Sequence, residues 1–204
     1  FLGGGDDQAF FLAGSVTTGI VDGGAGEDII DIAVDENGNA TADVGGFINF
    51  EVFNIELDGD VVFGEGSTEV VVIEGGSDVT FTDSDLSLAD IIIESDSDLT
   101  VGDTTDLTVF GAVSFDGVTN SRVVNEGDIT GDFRDEGPAG DLLITAGLFD
   151  VVGGSSLAIE NDGLITVLGD GFAVIDAQDA SQLTFTNRGS IESSESISFV
   201  RDST

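Results

Sequence analysis

Carboxylates are the residues with the most chemical capacity in this 204-residue chain, which holds 41 Asp or Glu against 4 Lys or Arg, a formal balance of −37. Two runs set them at alternate positions, Glu94-Ser95-Asp96-Ser97-Asp98 and Asp83-Ser84-Asp85. On a strand, alternate residues share a face, so each run predicts a row of hard oxygen donors suited to Ca2+, or else a solvated acidic face. So many carboxylates also make glycosidase-like pairs inevitable, and no single pair is informative. The partners such a site needs are scarce. There is no Lys, His, Trp or Tyr, and the cations are Arg122, Arg134, Arg188 and Arg201. The chain is therefore read as non-catalytic.

The missing residue types exclude more. Without Cys there is no disulfide, thiol nucleophile or thiolate metal site. Without His there is no imidazole base and no Ser-His-Asp triad. Nucleic acid and anionic membrane surfaces would be repelled by the net charge. No apolar run approaches the ~18 residues of a membrane helix, so no membrane insertion of this segment is expected. The hydrophobic fraction of 40% separates the chain from disordered acidic tails. Without Met, the chain is expected to be a processed product or a fragment of a longer protein.

The elements that must position these groups are short strands. Asp78-Val79-Thr80-Phe81, Asp98-Leu99-Thr100-Val101, Asp106-Leu107-Thr108-Val109 and Gln182-Leu183-Thr184-Phe185 alternate apolar with polar residues. Gly, Asp, Asn and Ser fill the intervals and supply turns. Most of the 15 Phe fall on alternating positions and are read as core. The threonines of Thr80-Phe81-Thr82 and Thr184-Phe185-Thr186 are read as ordinary strand residues, too scattered for a flat ice-binding array.

The strands repeat. Asp78 aligns with Asp98 at an offset of 20, Asp85 with Asp106 at 21, and the turn at Leu2–Asp7 with Gly23–Asp28 at 21. Asn-x-Gly-x-Ile recurs at Asn125, Asn161 and Asn187, with spacings of 36 and 26. A period near 20 predicts one all-β segment over residues 1–204, a right-handed parallel β-helix (β-solenoid) of about ten coils. The alternative is an antiparallel β-sandwich. The stretch 131–140, with the only Pro, is expected to project as a loop. Ten coils at the ~4.8 Å strand spacing give a rod of about 45–50 Å. Its charge density is then about 0.7–0.8 per Å, near that of duplex DNA. Such a rod should condense cations.

Two features resemble a known family. Gly23-Gly24-Ala25-Gly26-Glu27-Asp28-Ile29-Ile30-Asp31 is similar to the nine-residue calcium repeat G-G-x-G-x-D-x-U-x at every defined position. That turn, followed by Phe47-Ile48-Asn49-Phe50-Glu51-Val52-Phe53-Asn54-Ile55, together with the Asn-x-Gly-x-Ile copies, resembles the passenger domains of type V secreted autotransporters. The resemblance implies a parallel β-helix exported to the surface of a Gram-negative cell. It also implies that Gly23, Gly24, Gly26 and Asp28 are the positions to carry a Ca2+ site, against a structural role in which the glycines make a tight corner that Asp28 caps. The absence of Lys fits a marine or saline exterior. The expected role is a surface spacer, adhesin or filament subunit with end-to-end or lateral self-association. The alternative is a calcium-dependent module binding carbohydrate or a host or cell surface.

Overall fold

The computed structural model describes residues 2–12, 19–33, 40–44, 46–56, 58–62, 70–82, 85–133, 147–169, 172–179, 181–193 and 198–201. Their strands form three long stacks. The first has nine strands, from Gln8–Leu12 through Val52–Glu56 and Gly147–Val152 to Ser198–Arg201. The second has seven, from Ala40–Asp43 to Gln182–Asn187, and the third five, from Asp85–Leu88 to Ser190–Ser193. All the pairings that build them are parallel, each strand stacking on its counterpart one coil away. The chain is thus an all-β parallel β-solenoid, and the pairing excludes an antiparallel sandwich.

The repeats read from the sequence are the register. Asp78 pairs with Asp98, Asp85 with Asp106, Gly3 with Gly24, and Asn125 with Asn161. The coil count differs from expectation. Nine strands stack on the longest face, and the three faces together close about six turns rather than ten. Ten turns would need a uniform 20-residue coil. Equivalent corner residues are indeed 20 apart at Ser77 and Ser97, but 24 apart at Ser97 and Ser121, and equivalent asparagines are 36 apart at Asn125 and Asn161. Nine strands at ~4.8 Å span about 38 Å, which raises the linear charge density to about one per Å.

Alternation explains the core. Ile30, Phe53, Val71, Ile91, Val113, Phe149 and Ile175 form one inward column in continuous register, each nearly inaccessible to water. Fully burying each such side chain contributes about 1.5–3 kcal/mol, and no coil could bury its own without neighbours.

Two polar ladders fix the corners. At the first, Ser77, Ser97, Ser155 and Ser181 stand just before strands of the seven-strand face, and Ser121 stands within the strand Thr119–Asn125. Ser97 Oγ accepts from the amides of Gly76 and Ser77 and donates to the carbonyl of Glu74. Ser121 Oγ repeats the pattern on Ser97 N and Glu94 O, and Ser181 Oγ accepts from Ser155 N. At the second, Asn125 Nδ2 donates to Asn161 Oδ1 at 2.7 Å, and Asn161 Nδ2 to Asn187 Oδ1 at 2.6 Å. Each ladder satisfies buried backbone groups where the chain bends and strand pairing lapses.

Of the stretch 131–140, expected to project as a loop, the first residues are part of the solenoid wall. Gly131 and Asp132 still belong to the strand Asp128–Asp132, and Phe133 is buried, stacked on Phe172 at 4.4 Å. The rest of that stretch lies outside the described residues.

Candidate functional site

The turn singled out by its glycines is a stack of turns. Gly3–Gly4 pairs with Gly24–Ala25, Gly5 N donates to Ala25 O at 2.7 Å, and Gly23 N donates to Ile48 O at 3.0 Å. Neighbouring turns lie so close that side chains have no room. A Cβ on Gly24, whose φ is +114°, would stand 2.0 Å from Gly3 O, and one on Gly23 would stand 2.2 Å from Asn49 O. The glycines therefore answer a steric demand of stacking.

Asp28 is fully buried against Gly23. Its Oδ1 accepts from Asp7 N at 2.8 Å, and its own amide donates to Glu51 Oε2 at 2.8 Å. One coil away, Asp6 Oδ1 accepts from Glu27 N at 3.1 Å. Carboxylates thus cap amides from coil to coil, as the structural role required. Asp28 Oδ2, however, is buried without a partner. Leaving a buried carboxylate oxygen unsatisfied is costly, and a hard cation is one group that would satisfy it. Gly23, Gly24, Gly26 and Asp28 are therefore brought together, with Glu51 beside them. Among the described residues, no three acidic side chains converge in metal-binding geometry.

The run Glu94–Asp98 does not form the expected row. It crosses a corner: Ser95 and Asp96 lie between strands, Asp96 at φ +62°, and Ser97 turns inward. Glu94 and Asp98 accordingly belong to different faces. The run Asp83–Asp85 lies outside the described residues, apart from Asp85.

Stacking makes different rows, running along the axis. Asp85, Asp106 and Asp128 are in register and exposed. Glu56, Glu74 and Glu94 follow Ile55, Ile73 and Ile93, which are stacked in register. Burial pushes the Glu74 carboxyl up, and Glu56, Asp31 and Glu94 push it the same way. Beside the aspartate row runs a row of hydroxyls, Ser87, Thr108, Thr130 and Thr166. Threonines that look scattered in the sequence are thus aligned on the five-strand face.

A second buried carboxylate has no motif to announce it. Asp176 is fully buried, with Oδ2 bound to Gln178 Nε2 at 2.8 Å and Oδ1 without a partner. Its register neighbour is Asp150, whose carboxyl is raised by burial, by Asp176 and by Asp116. The sequence carries one signal for this pair: Asp150 and Asp176 have the same spacing of 26 as Asn161 and Asn187.

No protein-family model, curated protein or solved structure matches the chain, so the fold and these geometries carry the functional argument.

Proposed function

We propose that this chain is a non-catalytic structural or adhesive β-solenoid, a surface spacer, adhesin or filament subunit built like an autotransporter passenger. The solenoid is read as right-handed, the usual hand for parallel crossovers. The observation that carries the reading is the alignment of carboxylates into axial rows, Asp85–Asp106–Asp128 above all, around an unbroken apolar core. A rod so charged resists non-specific association and draws a sheath of cations, as suits a saline cell exterior. Microscopy of Gram-negative cells expressing the full protein tests it. Rods or fibres at the cell surface are expected; compact particles confined to the cell interior would count against it.

A second reading, a calcium-dependent binding module, is favoured by the unpartnered Asp28 Oδ2. In it, Asp28 and turn carbonyls near Gly23, Gly24 and Gly26 hold Ca2+, which locks the first coils together and so shapes a surface for carbohydrate or another cell. Calcium titration followed by thermal melting decides it. A midpoint that rises at millimolar Ca2+ in the wild type but not in Asp28→Asn supports the site. An unchanged wild-type midpoint removes it.

A further inference from the structure

In the later coils of the seven-strand face lies a groove of about 860 Å³. It is lined by Asp98, Asn120, Arg122, Ser156, Gln182 and Thr184 around the small side chain of Ala158. Register explains the depression. Asp98, Arg122, Ala158 and Thr184 occupy one outward column, and at Ala158 that column drops to a methyl group.

Three features mark the groove. Its rim is irregular, because the register slips between Thr119 and Ser121 and Asn120 adopts φ +59°. Bulges and non-glycine residues in left-handed conformations re-aim side chains and cluster beside binding sites. Its cation is held in place. Arg122 Nε and Nη2 both bind Glu160 Oε1 at 3.0 Å, Glu160 Oε2 binds Arg188 Nη2 at 3.1 Å, and Arg188 Nε binds Asp162 Oδ1 at 2.8 Å. Its charge also balances. Asp98 and Arg122 offset each other, and the other polar lining groups are hydroxyls and amides, beside Leu157 and Leu183, on a chain whose net charge is −37.

We propose that this groove binds a neutral saccharide chain. The charge pattern selects that class. An anionic polymer is repelled by the rod as a whole, whereas a cation has the carboxylate rows to choose from and no reason to prefer a balanced groove. An apolar ligand finds a mostly polar lining. Sugar hydroxyls both donate and accept. They can donate to Asp98 and accept from Arg122, while Asn120 and Gln182 offer one amide donor and acceptor each. The inference is independent of the spacer reading and of the calcium turn, which lies in the first coils.

The test is an NMR titration of the 15N-labelled full chain with cellohexaose, maltohexaose and laminarihexaose, with hexagalacturonate and spermine in parallel. At least one neutral hexasaccharide should shift the amides of Asn120, Ser156 and Gln182 saturably. Ala158→Phe, which fills the depression, and Arg122→Gln should each weaken that binding about tenfold or more, equivalent to about 1.4 kcal/mol. The two variants act differently, so a folding defect in one leaves the other to decide. The proposal is overturned if none of the three sugars moves those amides, if the folded variants bind as the wild type does, or if hexagalacturonate or spermine alone shifts these amides. A salt-insensitive melting point would undermine the spacer reading and leave this result untouched.

Discussion

Removing the Ser97 hydroxyl should loosen one corner of the solenoid by an amount the geometry fixes. Ser97 is fully buried, and its Oγ accepts from Gly76 N at 3.1 Å and Ser77 N at 3.3 Å while donating to Glu74 O at 2.8 Å. Neither amide would be stranded in Ser97→Ala. Gly76 N also reaches Ser95 O at 3.2 Å, and Ser77 N reaches Glu74 O at 3.2 Å. The loss is therefore that of net hydrogen bonding and not the full penalty of an orphaned donor, about 1–2 kcal/mol. Ser77 supplies an internal control. It occupies the same corner position one coil earlier and is equally buried, yet its Oγ has no partner. Ser77→Ala should be neutral or stabilising by up to about 1 kcal/mol. Urea unfolding followed by circular dichroism reads both. The midpoint should fall for Ser97→Ala and hold or rise for Ser77→Ala, with the slope unchanged in each. Equal losses in the two variants would refute the idea that the ladder's bonds, and not corner packing alone, stabilise the bend.

Other perturbations follow from the same geometry. Asn161→Ala removes the middle of the asparagine ladder, which bonds Asn125, Asn187 and the carbonyls of Gly163 and Ser190; it should cost about 2–3 kcal/mol in the same unfolding assay. Gly24→Ala would drive a Cβ into Gly3 O at a φ of +114°, and should lower the melting midpoint by an amount equivalent to at least about 2 kcal/mol. Glu74, Asp98 and Asp150 have raised carboxyl pKa values, each chiefly through burial. A raised folded-state pKa means that the protonated form favours folding. That stability is present in full below the ordinary carboxylate values of 3.8 and 4.5 and is lost as pH rises through the raised ones. Melting scans should therefore show the midpoint rising as pH is lowered from neutrality toward those ordinary carboxylate values. A steady fall over that range would contradict it.

Register and core were legible because they are repetitive. A four-residue phrase such as Asp78-Val79-Thr80-Phe81 carries its own alternation, and its offset of 20 to Asp98-Leu99-Thr100-Val101 is the coil itself. The number of turns was not legible, since coils differ in length: equivalent residues are 20 apart at Ser77 and Ser97 but 36 apart at Asn125 and Asn161. The serine ladder was hidden for a related reason. Its members stand 20 and 24 residues apart at Ser77, Ser97 and Ser121, and a buried serine has no hydropathy signature. The alternation of Glu94–Asp98 does not make one row, because at Asp96 the backbone turns into the left-handed region. Of the candidate calcium turn, the grouping of Gly23, Gly24, Gly26 and Asp28 was visible in the motif. The contacts that force it, Gly3 O on Gly24 and Asp7 N on Asp28, come from the preceding coil.

Stacking turns this chain of net charge −37 into an acidic solenoid whose aligned carboxylates require screening. Neighbouring members of a row lie one strand spacing apart, ~4.8 Å, where two unit charges in water repel by about 0.9 kcal/mol. At ~10 mM salt the screening length of ~30 Å leaves most of a rod's charges in mutual view, and at ~0.5 M it falls to about one coil spacing. The decisive measurement is the thermal midpoint of the full chain at pH 7 in ~10 mM and ~500 mM NaCl. A rise of several degrees at high salt is predicted. Equal midpoints, or a fall, would contradict the claim that the aligned carboxylates govern how this solenoid holds together.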